Sequence, residues 1–187
     1  MTDLDALEAL LLQRSVAFGD FVLASGQRST YYVDARRTTM SAEGLALIGR
    51  LGVKAIRGAG WVPNSVGGLT MGADPVAYAI ARASLDAPPV LDAFSVRKAA
   101  KEHGTKRRIE GNFRPGSAVV VVEDVVTSGG SALQAVEAIR AEGGRVVGIL
   151  AVVDREQGGR EAIQAAGLQV VFITTTSRFL SGSSHPS

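Results

Sequence analysis

The chain has 187 residues, 46% of them hydrophobic and 20% charged, which suits one folded domain with its own core and excludes a disordered chain. It has no cysteine, which rules out disulfides, thiolate metal sites and a cysteine nucleophile, and its two histidines, His103 and His185, are too few for a histidine-rich metal centre. Twenty basic and 18 acidic residues leave a formal charge of +2, so global charge makes no case for a nucleic-acid partner.

The opening segment MTDLDALEALLLQRS begins acidic and lacks both a positive n-region and a small-residue cleavage site. It reads as a helix over 3–14, with Leu4, Leu7 and Leu11 at helical spacing behind a Thr2 or Asp3 cap, and not as a secretory signal. Short strands are predicted at 21–23 and 31–33 about the turn-rich SGQRST. Ser41 opens a second helix to about residue 56, with Leu45, Ile48, Leu51 and Ala55 along one stripe. Strands at 62–67, 90–96, 118–123, 145–153 and 168–173 then alternate with helices at 73–84, 130–142 and 160–166. The closing LSGSSHPS reads as a frayed tail. The longest apolar runs, 118–122 and 146–153, are too short or too glycine-broken to span a bilayer, so the expected setting is cytoplasmic with no membrane partner.

Continuous apolar strands separated by helices predict an α/β fold, a central parallel sheet flanked by helices. In such sheets ligands bind beyond the carboxyl ends of the strands, here the loops after Val66, Val96, Asp124 and Val153. Residues 119–131, VVVVEDVVTSGGS, carry the strongest signal. Four valines make a buried strand, Glu123 and Asp124 follow where it should emerge, and TSGGS opens an apolar-periodic helix. Backbone N–H groups at that helix start suit an anion, Gly129 and Gly130 allow close approach, and Thr127, Ser128 and Ser131 add hydroxyl donors. The carboxylates would repel a phosphate but suit a neutral diol beside it, and the two together describe a ribose 5-phosphate. An isolated TSGGS would be an ordinary helix cap. No Gly-Lys-Ser/Thr or GxGxxG accompanies this strand, so neither a Walker loop nor a dinucleotide fingerprint competes.

Three further segments are ambiguous when read bare. FSVRKAAKEHGTKRRIEG, 94–111, is a solvated basic loop or a nucleic-acid patch. FVLASGQRSTYYVDARR, 21–37, is a hairpin with exposed aromatics, and VGGLTMGADPVA, 66–77, is a glycine-rich strand-to-helix turn. Arg155 in VVDREQGG sits at the ligand edge of the sheet, and read bare it is a surface salt bridge with Asp154 or Glu156.

The 119–131 segment resembles the signature of the type I phosphoribosyltransferases, whose substrate is 5-phosphoribosyl 1-diphosphate, and RKxxKxHG at 97–104 resembles the catalytic loop of the orotate branch of that family. The resemblance runs from Phe21 to the strand at Val171. It implies a parallel-sheet core with a small hood from about residues 1–40 and the C-terminal segment, all in one domain over 1–187. It implies phosphoribosyl diphosphate contacts from Arg97, Lys98, Lys101, His103, Glu123, Asp124, Val125, Val126, Thr127, Ser128, Gly129, Gly130 and Ser131, with Lys101 and Asp124 catalytic. Orotate would be held by Thr127 and Arg155, and by backbone near Tyr31. Mg²⁺ is the implied cofactor, bound mainly through substrate oxygens and water, with no protein ligand assigned. A homodimer sharing the catalytic loop across subunits is implied, with no nucleic-acid partner. The chain departs from some members at Ala24 and Met71, where they carry lysine; Arg28 is a candidate substitute for the first.

Overall fold

A computed structural model of the chain describes residues 1–22, 28–99 and 108–181. Helix α1 (Asp3–Ser15) opens on a capping box, in which the Thr2 hydroxyl accepts from Asp5 N and the Asp5 carboxylate accepts from Thr2 N. Strands β1 (Val16–Val22) and β2 (Arg28–Val33) pair antiparallel as a separate two-stranded sheet. A single turn, α2 (Arg36–Thr39), leads to α3 (Ala42–Gly58), which Ser41 caps by accepting from Gly44 N.

The remaining elements are β3 (Ser65–Leu69), α4 (Ala73–Ser84), β4 (Asp92–Val96), β5 (Ile109–Gly111), β6 (Ala118–Val126), α5 (Gly130–Ala141), β7 (Arg145–Asp154), α6 (Gly159–Ala165), β8 (Val170–Thr175) and α7 (Thr176–Ser181). They build a six-stranded sheet in the order β5-β4-β3-β6-β7-β8, parallel except for β5. The chain runs outward from β3 to β4 on one side and from β6 through β7 to β8 on the other. Their junction, between β3 and β6, is the switch point where such sheets open a ligand crevice.

Side-chain alternation along β6 sorts the core into two layers. Val120 and Val122 pack with Ile48, Ile56, Val76 and Ile80 of α3 and α4, while Val119 and Val121 pack with Ala135, Val136 and Ile139 of α5. Small residues let α3 and α4 pack closely: a β-carbon at Gly52 would come within 2.5 Å of Ile80 Cγ1.

The α/β class is as the valine-rich strands predict, with several corrections at element ends. The sheet is mixed, because β5 pairs antiparallel with β4; three residues, IEG, are too few to show a period. Strand β3 begins at Ser65 and not residue 62, after Pro63, which has no N–H to give a ladder. Strand β1 starts five residues before the predicted 21, since its mostly exposed pattern hides any alternation. Strand β6 runs on through Val126, three residues past the predicted end at 123, so Asp124 as well as Glu123 lies within it. Helices α2 and α7 were not anticipated, and α7 takes up Leu180 and Ser181 from the predicted tail. Among the described residues no helix is long and apolar enough to cross a membrane.

Candidate active site

At the carboxyl end of β6 the chain turns through Thr127, Ser128 and Gly129 into α5. Gly129 sits at φ +82, a left-handed conformation that a β-carbon disfavours, and no side chain caps the helix. The first-turn N–H groups are therefore free for an anion. Residues 125–131 line a small hollow of about 90 Å³, with Thr127, Ser128, Gly130 and Ser131 exposed toward it. The loop rests on the start of α6, where a β-carbon at Gly159 would meet Thr127 O at 2.5 Å.

Glu123 and Asp124 are neighbours in a strand, so they face opposite sides of the sheet. Glu123 shares the α5 side and lines the hollow at residues 125–131. It is 4% exposed and its Oε1 has no hydrogen-bond partner. Burial, reinforced by the nearby Asp124 charge, pushes its carboxyl up to about 8. At neutral pH it is thus mainly a neutral O–H donor. Asp124 faces the α4 side, at the switch point. Burial raises its carboxyl, opposed by the Val125 N–H at 2.9 Å and by the Arg36 charge. The α4 entry is shaped around it: a β-carbon at Gly72 would lie 2.4 Å from Asp124 Oδ1. Arg36 is clamped to Asp34 by two side-chain hydrogen bonds of 2.8 and 3.1 Å, which brings a held cation into the field of Asp124.

Arg155 follows the last residue of β7. Its backbone N–H donates to Val126 O at 2.9 Å, which ties it to the β6 exit. The side chain is buried at 8% exposure, its guanidinium lies 5.5 Å from the ring centroid of Tyr31, and its Nε has no partner. The alternative of a salt bridge to a sequence neighbour is not realised. Asp154 accepts two hydrogen bonds from Arg160, and Glu156 accepts from Ser177. A buried guanidinium left over at a ligand edge has spare donors for an incoming carboxylate.

Arg97 and Lys98 leave β4 exposed, and Arg97 pairs with Glu110 at 3.1 Å. Arg97 N donates to Arg108 O, and the Arg108 guanidinium donates to the Arg97 and Lys98 carbonyls. Lys101, His103 and Ala24 lie outside the described residues. Arg28 and Met71 are both exposed, and Met71 directly precedes Gly72. The structure thus brings together Glu123, Asp124, the 127–131 loop and Arg155. Sequence reasoning missed Gly72, the Asp34–Arg36 pair and the Arg155–Tyr31 stack. The first two lie within segments already marked as chemically loaded, while the stack joins residues 124 positions apart and leaves no local trace.

Among the described residues no group of three His, Cys, Asp or Glu side chains is placed to hold a metal. The Asp124 carboxyl at the crevice fits a Mg²⁺ ion carried mainly on substrate oxygens and water. Larger hollows, about 280 and 600 Å³, lie at the amino ends of the strands around Trp61 and Asn64, away from these residues.

A glycine turn that opens a helix, beside one buried and one half-buried carboxyl at a sheet switch point, has the donors and acceptors that suit a phosphorylated sugar. Residues 40–174 match the phosphoribosyl transferase domain. The orotate phosphoribosyltransferase of Aquifex aeolicus (strain VF5) is 45% identical over 183 residues, 96% of this chain and 99% of that one. The Mycobacterium tuberculosis H37Rv orotate phosphoribosyltransferase in complex with Fe(III) dicitrate superposes with a TM-score of 0.85 at 46% identity, covering 95% of this chain and 99% of that one. The same enzyme in complex with 5-phospho-α-D-ribosyl 1-diphosphate gives a TM-score of 0.80 at 43% identity, again over 95% and 99%. The chain belongs to the phosphoribosyl transferase family, in its orotate phosphoribosyltransferase branch, and is a pentosyl transferase.

Proposed function

We propose that the enzyme transfers the phosphoribosyl group of 5-phosphoribosyl 1-diphosphate to N1 of orotate, with inversion at the anomeric carbon. The products are orotidine 5′-monophosphate and diphosphate, in cytoplasmic pyrimidine synthesis. The observation that carries the choice of base is Arg155, a buried guanidinium with an unpartnered Nε over the face of Tyr31. Orotate offers what that arrangement lacks, a carboxylate for the guanidinium and a planar ring beside an aromatic. The complex of the Mycobacterium tuberculosis relative with the sugar diphosphate supports the donor.

In this reading the 127–131 loop holds the 5-phosphate on backbone N–H and hydroxyl groups, with Val125 and Val126 supplying its backbone approach. Asp124 accepts from a ribose hydroxyl and stabilises the positive charge that develops on the sugar as diphosphate leaves. Arg97, Lys98, Lys101 and His103 take the charge that accumulates on the departing oxygens. Mg²⁺ on the diphosphate, when bound, neutralises part of that charge. No covalent nucleophile is needed, because the orotate nitrogen attacks directly. The β1–β2 hairpin serves as a hood over the base, and a homodimer lends the catalytic loop across its subunits.

Loss of orotate absorbance on adding phosphoribosyl diphosphate and Mg²⁺ tests the assignment; no loss with orotate, together with turnover of another base, overturns it. Arg155→Ala removes the carboxylate grip, and its expected signature is a rise of roughly 10²-fold in KM for orotate with a small change in KM for the sugar diphosphate. Steady-state kinetics with each substrate varied in turn checks this split. Gly72→Ala acts on geometry alone, since φ −64 and ψ −41 at Gly72 suit alanine. The added methyl displaces the Asp124 carboxyl, and kcat should fall about 10- to 10²-fold without loss of thermal stability. A kcat within twofold of the parent would show that Asp124 needs no such exact seat.

A further inference from the structure

The turn after Arg155 contains a carboxylate that lies next to the cation and ignores it. Glu156 has φ +57, and among the described residues it is the one non-glycine with positive φ. A side chain disfavours that conformation, and it persists where the surroundings hold it. The holders are visible at both ends of the residue. Glu156 N donates to Asp154 Oδ1 at 2.8 Å, and Asp154 is itself buried and gripped by Arg160. The Glu156 carboxylate accepts from Ser177 N at 2.7 Å and from Ser177 Oγ at 2.8 Å, in the first turn of α7. Thr176 Oγ1 also donates to Asp154 O at 3.1 Å. The two residues flanking Arg155 are therefore both tied to the start of α7. Arg155 has no partner at its Nε, so its direction is set by its backbone and by the Tyr31 ring.

We propose that Glu156 is a positioning residue for the base site: by capping α7 it holds the turn that aims Arg155 at the substrate carboxylate, and it keeps its own charge away from that guanidinium. This rests on the role of Arg155 proposed above. It gives α7 a part in base recognition through the turn that carries Arg155.

Glu156→Ala cuts the tie and is expected to raise KM for orotate roughly tenfold, with KM for the sugar diphosphate within about twofold and kcat within about threefold. Glu156→Gln restores the parent values, since its amide oxygen can accept from Ser177 N while its NH₂ donates to Ser177 Oγ. The proposal is overturned if Glu156→Ala leaves KM for orotate unchanged, if both KM values rise together, or if Glu156→Gln is as impaired as alanine. Should Glu156→Ala fail to fold, Ser177→Ala carries the test at an exposed position. A rise of about threefold in orotate KM alone is expected there, and no change overturns the proposal. Arg155→Ala separates the two readings. If it leaves orotate KM unchanged, both fall; if it raises KM while the Glu156 and Ser177 variants do not, only the positioning role falls.

Discussion

Asp124→Asn should lower kcat roughly 10²- to 10³-fold while leaving the fold intact. Asparagine matches aspartate in shape, so the seat formed by Gly72 and the contact with Val125 N survive the change. What disappears, on the proposed role of Asp124, is a negative charge facing a sugar whose transition state gains positive charge. In a partly buried site that interaction is worth on the order of 3 to 4 kcal/mol, because water does not screen it. Binding of the sugar diphosphate should suffer much less than turnover, since the ground-state hydroxyl can still donate to the amide oxygen. Single-turnover kinetics separates the two. If binding weakens as much as chemistry slows, Asp124 is a binding group only, and the charge argument fails.

Glu123→Gln should act mainly on stability, in a direction opposite to most buried substitutions. In the folded chain the Glu123 carboxyl titrates at about 8, against an ordinary 4.5. Between those values the folded state holds a proton that the unfolded chain has released. The contribution of Glu123 is therefore fullest below about pH 4.5 and is lost as pH rises toward 8, by an amount on the order of 5 kcal/mol. Glutamine keeps the neutral shape and has no proton to lose. Its gain over the parent should be near zero at pH 5 and grow to about 10 °C in Tm by pH 9. Burial also raises Asp124, so a residual slope of the same sign should remain in the variant. Thermal melts at pH 5, 7 and 9 give the answer; two parallel Tm profiles would mean that Glu123 is ionised throughout. A neutral donor beside the phosphate loop is also preserved by glutamine, so KM for the sugar diphosphate at pH 7 should stay close to the parent value.

The strand–turn–helix over residues 119–131 was legible because every part of it is local: a valine strand, a glycine with positive φ and the helix that follows. The parallel core was legible for the same reason, as its strands carry long apolar runs. The acid pair was only half legible. Both residues were read as acceptors at a strand exit, whereas β6 continues past them and its pleat sends them to opposite layers. Strand length depends on the partner β7, which keeps pairing as far as Asp154, and no motif records that. The Arg155 site shows the larger gap. Its position at the ligand edge followed from the pattern, but its freedom depends on Arg160 and Ser177 having engaged its two acidic neighbours. Ser177 lies on α7, a helix of six residues whose sequence TSRFLS shows no period. The basic loop is the reverse case: Lys101 and His103 were named through the resemblance of RKxxKxHG to the catalytic loop of the orotate branch, and they fall outside the described residues.

The split of Glu123 and Asp124 across the sheet has an evolutionary consequence. The two carboxyls differ by one step along a strand, so which compartment each serves is decided by counting from the β6–β7 register, not by the side chain itself. Gain or loss of one residue between Val120 and Val122, unless a bulge took it up as the irregularity at Val119 and Val120 does, would exchange the layers that the two carboxyls face. This stretch should tolerate swaps among branched aliphatic residues better than changes of length.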